Sequence, residues 1–345
     1  MKPLDRLITA MPKVELHVHL EGSIRPETLL ELARRHHARP PASTLDELRA
    51  WYSFRDFDHF VEIYSHMSGS ICSVEDIEFV AREFLAGQAV QGIRYSEVTY
   101  TPFTHYRTKG LAFREQLAAL NRARAWAEAE LGVSMRLILD FARKASLDEA
   151  HTVADWAIEA MGDGVVALGL GGVEAGYSAE KFKAVFERAR AAGLARTPHA
   201  GETGGPESIW AVVRAFDATR IGHGVRCLED PALVEFLHAR QIPLEVCPSS
   251  NVCLGVASSM DAHPLPQLLA AGLCVTINSD DPPMFNTTLT GEYLAVARAF
   301  TFRADTIELL VLNAVRATLL PPREKARLEA DFAAEFTRLR AALLT

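Results

Sequence analysis

The sequence has 345 residues, of which 49% are apolar and 23% charged, and its 36 basic against 44 acidic residues give a formal net charge of −8. This is the composition of an ordinary globular protein, and the length suffices for one large closed α/β barrel or for two smaller domains. An acidic chain without clusters of Lys and Arg lacks the electrostatic footprint of proteins that bind nucleic acid or an anionic membrane surface.

The N-terminal segment predicts neither a secretory signal nor a membrane anchor. It places Asp5 and Arg6 before a short apolar stretch, and no later run reaches the roughly 18 apolar residues of a membrane span. The five cysteines are an odd number without a C-x-x-C pair, a pattern typical of reduced core thiols. We therefore expect a cytoplasmic protein.

Short apolar runs rich in β-branched residues recur along the chain, and each ends in a polar or glycine-rich corner. Eight runs have this form: Val14–Leu20, Gly92–Tyr100, Met135–Phe141, Val165–Gly171, Arg196–Gly201, Arg220–Val225, Ile242–Cys247 and Cys274–Ser279. Most stretches between them show helical periodicity, and 178–192 predicts a helix that stops at Gly193. Eight strands that alternate with helices favour a (β/α)8 TIM barrel, and we expect residues 1–345 to form this single domain.

The segment between the first and second runs is too long for a single crossover helix. We predict a helical insertion over about residues 21–90, in which Pro26 opens a helix. The insertion carries a cluster of aromatic residues: Trp51, Tyr52, Phe54, Phe57, Phe60 and Tyr64. These side chains can form a lid or pocket wall at the barrel mouth, or they can be the core of an extra helical layer.

The residues that end the strands carry the chemistry, because active residues of such barrels project from the carboxyl ends of strands. The first run ends in His17 and His19, and a spacing of two places both imidazoles on one face of a strand. Three later runs end in further polar groups: His199 and Glu202, then His223, then Asp280 and Asp281. These groups predict a metal site; nitrogen ligands with one hard oxygen suit Zn²⁺, although Fe²⁺ or Co²⁺ accept the same set.

Five segments, in the order HVHLEGS, HAGE, RIGHG, EVCPSSN and NSDDPPMF, resemble the motifs of the adenosine deaminase family of the amidohydrolase superfamily. The resemblance covers nearly the whole chain and implies hydrolytic deamination of a small-molecule 6-aminopurine, with conversion of adenosine to inosine and ammonia as the first choice. It implies one Zn²⁺ per chain, held by His17, His19, His199 and Asp280. A single ion also agrees with the fourth run, VVALGLGG, which has no lysine of the kind that is carboxylated in two-metal amidohydrolases.

The resemblance also implies roles for the other residues of the site. Glu202 protonates purine N1, which agrees with the need for a carboxyl group that moves protons while water adds and the amine leaves. His223 orients the attacking hydroxide, although a histidine at this corner can also bind metal. Asp281 binds N7 in a protonated form that the neighbouring Asp280 favours, and the backbone of Gly172 faces N3.

Two departures from the family's pattern lie where the substrate should be selected. Glu21 stands where adenosine deaminases typically have Asp to bind the ribose 5′-hydroxyl, and we expect Glu21 to contact the substrate. The fourth run closes as GLGGVE rather than DLAGDE, so Gly169 and Val173 replace two carboxylates. Free adenine and aminodeoxyfutalosine, a modified nucleoside of menaquinone biosynthesis, are therefore alternative substrates.

Two hypotheses outside this class remain. One is an amide or phosphoester hydrolase on the same scaffold, whose usual two-metal site has no support in the fourth run. The other is a purine-binding barrel without turnover. The presence of all four implied metal ligands, together with Glu202 and His223, argues against it. Ammonia release from a 6-aminopurine distinguishes the deaminase from both.

Overall fold

The computed structural model describes residues 2–344. Eight parallel strands form one sheet in chain order: β1 (Lys13–Glu15), β2 (Ile93–Tyr100), β3 (Ser134–Leu139), β4 (Val165–Leu170), β5 (Ala195–Ala200), β6 (Ile221–His223), β7 (Leu244–Val246) and β8 (Val275–Ile277). Just beyond β8, the backbone N–H of Asp280 donates to the carbonyl of His17, and a bridge pairs Val18 with Asp280. These bonds join the last strand to the first, so the predicted (β/α)8 barrel is confirmed.

Helices surround the sheet between residues 2 and 344. They are α1 (Pro3–Ala10), α2 (Pro26–Arg35), α3 (Leu45–Trp51), α4 (Phe57–Gly69), α5 (Val74–Val90), α6 (Pro102–Lys109), α7 (Phe113–Leu131), α8 (Leu147–Glu159), α9 (Lys183–Ala192), α10 (Pro206–Phe216), α11 (Pro231–Arg240), α12 (Pro248–Cys253), α13 (Leu265–Ala270), α14 (Leu289–Ala299), α15 (Ala304–Ala317) and α16 (Pro322–Leu343). None of the helices in this described range has the length and apolar character needed to cross a membrane.

The strands are buried on both faces, as expected of a parallel sheet covered by helices. In β2 only Arg94 is exposed, and every residue of β1, β6, β7 and β8 is buried. Charged residues within these strands, such as Glu97 and Glu245, therefore need partners inside the protein.

The helix predicted over residues 178–192 is divided in two. A 3₁₀ turn spans Ala179–Phe182, where the Ser178 hydroxyl accepts a bond from the N–H of Glu180, and α9 begins at Lys183. The apolar residues Phe182, Val185, Phe186 and Ala189 of the two pieces are nevertheless all buried. The helix ends before Gly193, whose φ of 98° suits a glycine.

Four helices, α2 to α5, fill the segment between β1 and β2. Part of their aromatic cluster is core: Tyr52 is buried and its hydroxyl donates to the carbonyl of Ile24 at 2.7 Å. Another part, Phe57, Phe60 and Tyr64 on α4, lines the cavity at the barrel mouth. The two alternatives for this cluster are thus both partly correct.

Candidate active site

Four side chains from the ends of β1, β5 and β8 meet at the carboxyl end of the barrel. The candidate ligand atoms of His17, His19, His199 and Asp280 all lie within 4.8 Å of one another. The Nε2 atoms of His19 and His199 are 3.2 Å apart, and Oδ1 of Asp280 lies 3.4 Å from Nε2 of His19 and 3.5 Å from Nε2 of His17. All four residues are buried.

This cluster fits a metal ion. Nε2 of His17 is buried without a hydrogen-bond partner, which leaves a polar atom that only a further ligand would satisfy. Burial lowers the pKa of His17, but close contacts with the carboxylates of Asp280 and Glu245 raise it to about 10, so the surroundings favour a positive charge at this point, which a bound cation would supply in place of the proton. Three imidazole nitrogens and one carboxylate oxygen are a donor set suited to Zn²⁺.

The rings of two candidate ligands are fixed by bonds on the side away from the cluster. Nδ1 of His17 lies 2.9 Å from Oε2 of Glu245, and Nδ1 of His199 lies 3.0 Å from the carbonyl of Leu170. Burial opposes ionisation of Glu245, yet the charge of Arg220 keeps its pKa below the usual range, so the carboxylate accepts from His17. With a cation bound in the cluster, each ring would therefore keep its proton on Nδ1 and direct an Nε2 lone pair at the ion.

The support of His17 continues through the barrel interior. Arg220 bonds to Glu245 through Nε and lies 2.6 Å from Oε2 of Glu97 through Nη1. Glu97 in turn accepts from the hydroxyl of Tyr95 at 2.8 Å. Sequence reasoning missed these residues, although Arg220 and Glu245 lie in the quoted RIGHG and EVCPSSN motifs, where a charge inside a buried strand is itself a signal.

His223 lies beside the cluster. Its Nε2 is 3.7 Å from Oε1 of Glu202 and 4.0 Å from Oδ2 of Asp280. His223, Cys247 and Asp280 also form a group with ligand-like spacing. Burial raises the pKa of the Cys247 thiol well above its ordinary value, which disfavours the thiolate that a metal requires.

The backbone at the site is strained where two of these residues project. His223 and Asp280 both have a φ of 62°, in the left-handed region that residues with a Cβ rarely adopt. Such conformations persist where the surrounding structure imposes them, and they concentrate at functional sites.

Three carboxyl groups beside the cluster, those of Asp280, Asp281 and Glu202, differ in their affinity for protons. Burial opposes ionisation of Asp280, but the contact with His17 and the neighbouring imidazoles hold its pKa well below the ordinary value. Burial and the charge of Asp280 raise the pKa of Asp281 well above its ordinary value. Burial, with the charges of Asp280 and Glu174, likewise raises the pKa of Glu202. The site therefore holds one carboxylate and two groups that can donate a proton.

A cavity of about 500 Å³ opens over this cluster. Its inner end is lined by His19, His199, Glu202, His223, Asp280, Asp281 and Gly172, which includes most of the residues predicted from the sequence. The aromatic residues of α4 form one wall, and the exposed Arg107 and Lys109 at the end of α6 lie at the mouth. The cavity is thus acidic at its inner end, apolar along one wall and basic at its outer opening.

The residues predicted to bind substrate differ in their exposure to this cavity. Gly172, with a φ of 82°, lines it, and so does Asp281, whose Oδ1 has no hydrogen-bond partner. Glu21 is fully buried and is not among the lining residues; its Oε1 accepts from the N–H of Thr101 at 3.0 Å and lies 3.1 Å from Nε2 of His105. A direct contact of Glu21 with substrate stays a prediction.

Asp140 is a further carboxyl group of the cavity that sequence reasoning missed. It follows β3, lines the cavity and accepts from the Thr101 hydroxyl at 2.6 Å. Burial raises its pKa to about 7. The signal was present in the sequence, since Asp140 lies at the polar corner of the third apolar run, as His199 and Asp280 lie at the corners of the fifth and eighth.

The arrangement can perform hydrolysis at an electron-poor carbon. The cluster offers a site for a cation, Glu202 and Asp281 are carboxyl groups that can donate protons, and His223 lies beside Glu202 and Asp280 where it can bind a water molecule. The charge and hydrogen-bonding groups converge at the inner end of one cavity, as in sites for small polar aromatic molecules.

Comparisons with known proteins agree with this chemistry. A sequence model described as adenosine deaminase matches residues 12–334. An aminodeoxyfutalosine deaminase of Streptomyces avermitilis is 40% identical over 332 residues, which cover 96% of this chain and 92% of the relative.

Solved structures show the same similarity. An adenine deaminase from Arthrobacter aurescens superposes with a TM-score of 0.90 at 34% identity, covering 95% of this chain and 100% of that one. An amidohydrolase from Burkhoderia ambifaria, solved with bound Zn, superposes with a TM-score of 0.92 at 25% identity, covering 100% of this chain and 95% of that one.

Proposed function

Because the chain belongs to the adenosine deaminase family, a family of metal-dependent deaminases, we propose that it hydrolyses the 6-amino group of a purine nucleoside, using one Zn²⁺ per chain. The reaction consumes water and releases ammonia and a 6-oxopurine. One observation carries the proposal. The four candidate metal ligands lie beside Glu202 and His223 at the inner end of one cavity.

Each part of the site has a role in this proposal. His17, His19, His199 and Asp280 would hold the metal ion. When bound, such an ion lowers the pKa of a coordinated water toward about 7 and so supplies a nucleophile at neutral pH. His223, whose Nε2 lies 3.7 Å from Oε1 of Glu202 and 4.0 Å from Oδ2 of Asp280, would orient the attacking water.

The carboxyl groups hold and move the protons. Glu202, kept protonated by burial and by neighbouring negative charge, donates to purine N1 and makes C6 electrophilic. It can then take a proton from the adding water and pass it to the departing amine. Protonated Asp281 donates to N7, while the N–H of Gly172 approaches N3.

We propose aminodeoxyfutalosine as the preferred substrate. Adenosine is the first choice of the sequence analysis, but the relative that is 40% identical is named for aminodeoxyfutalosine. A cavity of about 500 Å³ is larger than a free base requires, and its mouth carries Arg107 and Lys109. A nucleoside with an extended acidic substituent on its 5′ side matches a cavity that is basic at its outer end.

Free adenine is the second candidate. It is favoured by the similarity to the Arthrobacter aurescens adenine deaminase and by the polar inner end of the cavity, which can bind a purine base alone.

An ammonia-release assay on three substrates in parallel tests this order of substrate preference. Zinc-loaded protein is given aminodeoxyfutalosine, adenine and adenosine, and kcat/KM is compared. We expect the highest kcat/KM for aminodeoxyfutalosine. A higher value for adenine would replace the substrate proposal, and no release from any of the three would overturn the deaminase proposal.

A further inference from the structure

Glu174 is a buried carboxylate close to the site that lies outside the cavity lining. It follows β4 and lies behind the loop formed by residues 201–204, which connects β5 to the turn before α10. Its side chain is 1% exposed. Neither the proposed reaction nor the candidate metal ligands require it directly.

One side chain binds the whole of this loop. Oε2 of Glu174 accepts from the N–H of Gly201 at 2.8 Å, and Oε1 accepts from the N–H groups of Glu202, Thr203 and Gly204 at 2.9, 3.0 and 3.1 Å. Four consecutive backbone donors thus converge on a single carboxylate, and the second of them belongs to the proposed general acid. Although burial opposes ionisation, the bond from the Ser208 hydroxyl, the charge of Arg143 and the backbone bonds from Gly204 and Gly201 lower the pKa of Glu174.

The loop is built for this close approach. Gly201 has a φ of 72°, and a Cβ at Gly204 would lie 2.7 Å from Oε2 of Glu174. A side chain at position 204 would therefore displace the carboxylate. The two glycines allow the backbone to wrap around Glu174.

Arg143 extends the same support to a candidate metal ligand. Its guanidinium donates to the carbonyl of His199 at 2.7 Å and to the Ser208 hydroxyl at 3.3 Å, and that hydroxyl donates to Glu174. Arg143 and Glu174 are both buried, with 3.9 Å between Nη2 and Oε2. The buried pair Arg143 and Glu174 thus fixes the backbone on both sides of Gly201 by hydrogen bonds.

We propose that Glu174 is a positioning residue, which fixes the backbone of residues 201–204 so that the carboxyl group of Glu202 meets the purine ring in a reactive geometry. The proposal rests on the proposed function, in which Glu202 is the general acid. Its physical basis is that a displacement of about 1 Å in a reacting group can cost about 100-fold in rate.

The test compares two buried carboxylates that bind backbone N–H groups. Glu174→Gln replaces one acceptor oxygen by an NH₂ group that cannot accept from the loop. Asp76→Asn is the matched control, since Asp76 is 1% exposed and accepts from the N–H groups of Cys72 and Ser73 at 3.0 Å at the start of α5. Both variants are measured for kcat, KM, metal content and amide hydrogen exchange.

We expect Glu174→Gln to lower kcat about 100-fold while KM and metal content stay within about threefold, and to speed exchange of the amides of residues 201–204. Asp76→Asn should leave kcat unchanged. An unchanged kcat in Glu174→Gln, an equal loss in Asp76→Asn, or a loss that parallels metal content would overturn the proposal.

Failure of the proposed function is recognised separately, because wild-type protein would then release no ammonia from any purine. Hydrogen exchange still tests the loop in that case: unchanged exchange of residues 201–204 in Glu174→Gln would show that Glu174 does not hold them.

Discussion

Nδ1 of His17 lies 2.9 Å from Oε2 of Glu245, so a buried carboxylate on β7 fixes the ring of a candidate metal ligand that follows β1. The bond sets the proton on Nδ1 and increases the basicity of Nε2. The site therefore extends beyond the residues that would touch metal or substrate.

Replacement of Glu245 by Gln should weaken metal binding about 10- to 100-fold, the usual cost of losing such a support. A chelator competition with zinc-loaded protein measures this. The control is Glu292→Gln, because Glu292 is a buried carboxyl group on α14 that bonds to the N–H of Ser249 and to no candidate ligand. Equal affinity in wild type and Glu245→Gln would contradict the assignment.

Gly172 should be sensitive to alanine for two separable reasons. Its φ of 82° imposes a cost of about 1 kcal/mol on a residue with a Cβ, and its N–H is proposed to reach N3 of the purine. Gly176→Ala is the control, since Gly176 has a φ of 76° and no atom within 4 Å of an added Cβ, and it does not line the cavity.

Both alanine variants should therefore lose stability. Alanine keeps the backbone N–H, but relief of the positive φ at position 172 would turn that N–H away from N3, so only Gly172→Ala should raise KM, by about fivefold, the worth of one hydrogen bond. Denaturant unfolding and steady-state kinetics measure the two effects. An equal KM in both variants would count against the contact with N3.

Replacement of both Arg107 and Lys109 by Ala should raise KM for aminodeoxyfutalosine about tenfold, because two exposed charges each contribute up to about 1 kcal/mol. KM for adenosine should change little. Arg114→Ala is the control, since Arg114 is 84% exposed on α7 and does not line the cavity. A similar rise of KM for both substrates would show that Arg107 and Lys109 do not bind the 5′ substituent.

Lys13 should make stability depend on pH. It is fully buried on β1, its Nζ donates to the carbonyls of Met11 and Gln91 at 2.9 Å, and burial lowers its pKa from 10.5 to about 7. Between about pH 7 and pH 10.5 the unfolded chain binds the proton that the folded chain has lost, so this group makes stability increase as pH rises through that window.

Lys13→Met removes the titration. The free energy of unfolding of wild type relative to Lys13→Met, measured in denaturant at pH 7, 8, 9 and 10, should therefore rise with pH by a few kcal/mol at most. A flat difference would mean that Lys13 keeps an ordinary pKa in the folded protein.

The barrel and the gathering of polar side chains at its mouth could be predicted because both depend on local patterns, whereas the choice of His17, His19, His199 and Asp280 as the metal ligands came from the resemblance to the family. Each strand is a short apolar run, and the strand ends of a parallel barrel meet at one mouth, so His17, His199 and Asp280 are brought together by topology alone. Prediction of the fold required no information about side-chain contacts.

The supporting contacts could not be predicted in the same way. The bond between His17 and Glu245 joins residues 228 positions apart, and that between Glu174 and Glu202 joins residues 28 apart across a loop. Such pairs depend on strand register and loop conformation, which no periodicity encodes. The division of the helix at Lys183 was hidden for a related reason, since both halves share one apolar face.

The replacement of Glu202 by Gln tests the central claim most directly, with ammonia, 6-oxopurine product and metal content measured together. Wild-type protein should release one ammonia per 6-oxopurine formed. Glu202→Gln should keep its metal and lose at least about 100-fold in kcat, the contribution of general acid–base catalysis. A variant that retains its metal and most of its activity would contradict the account.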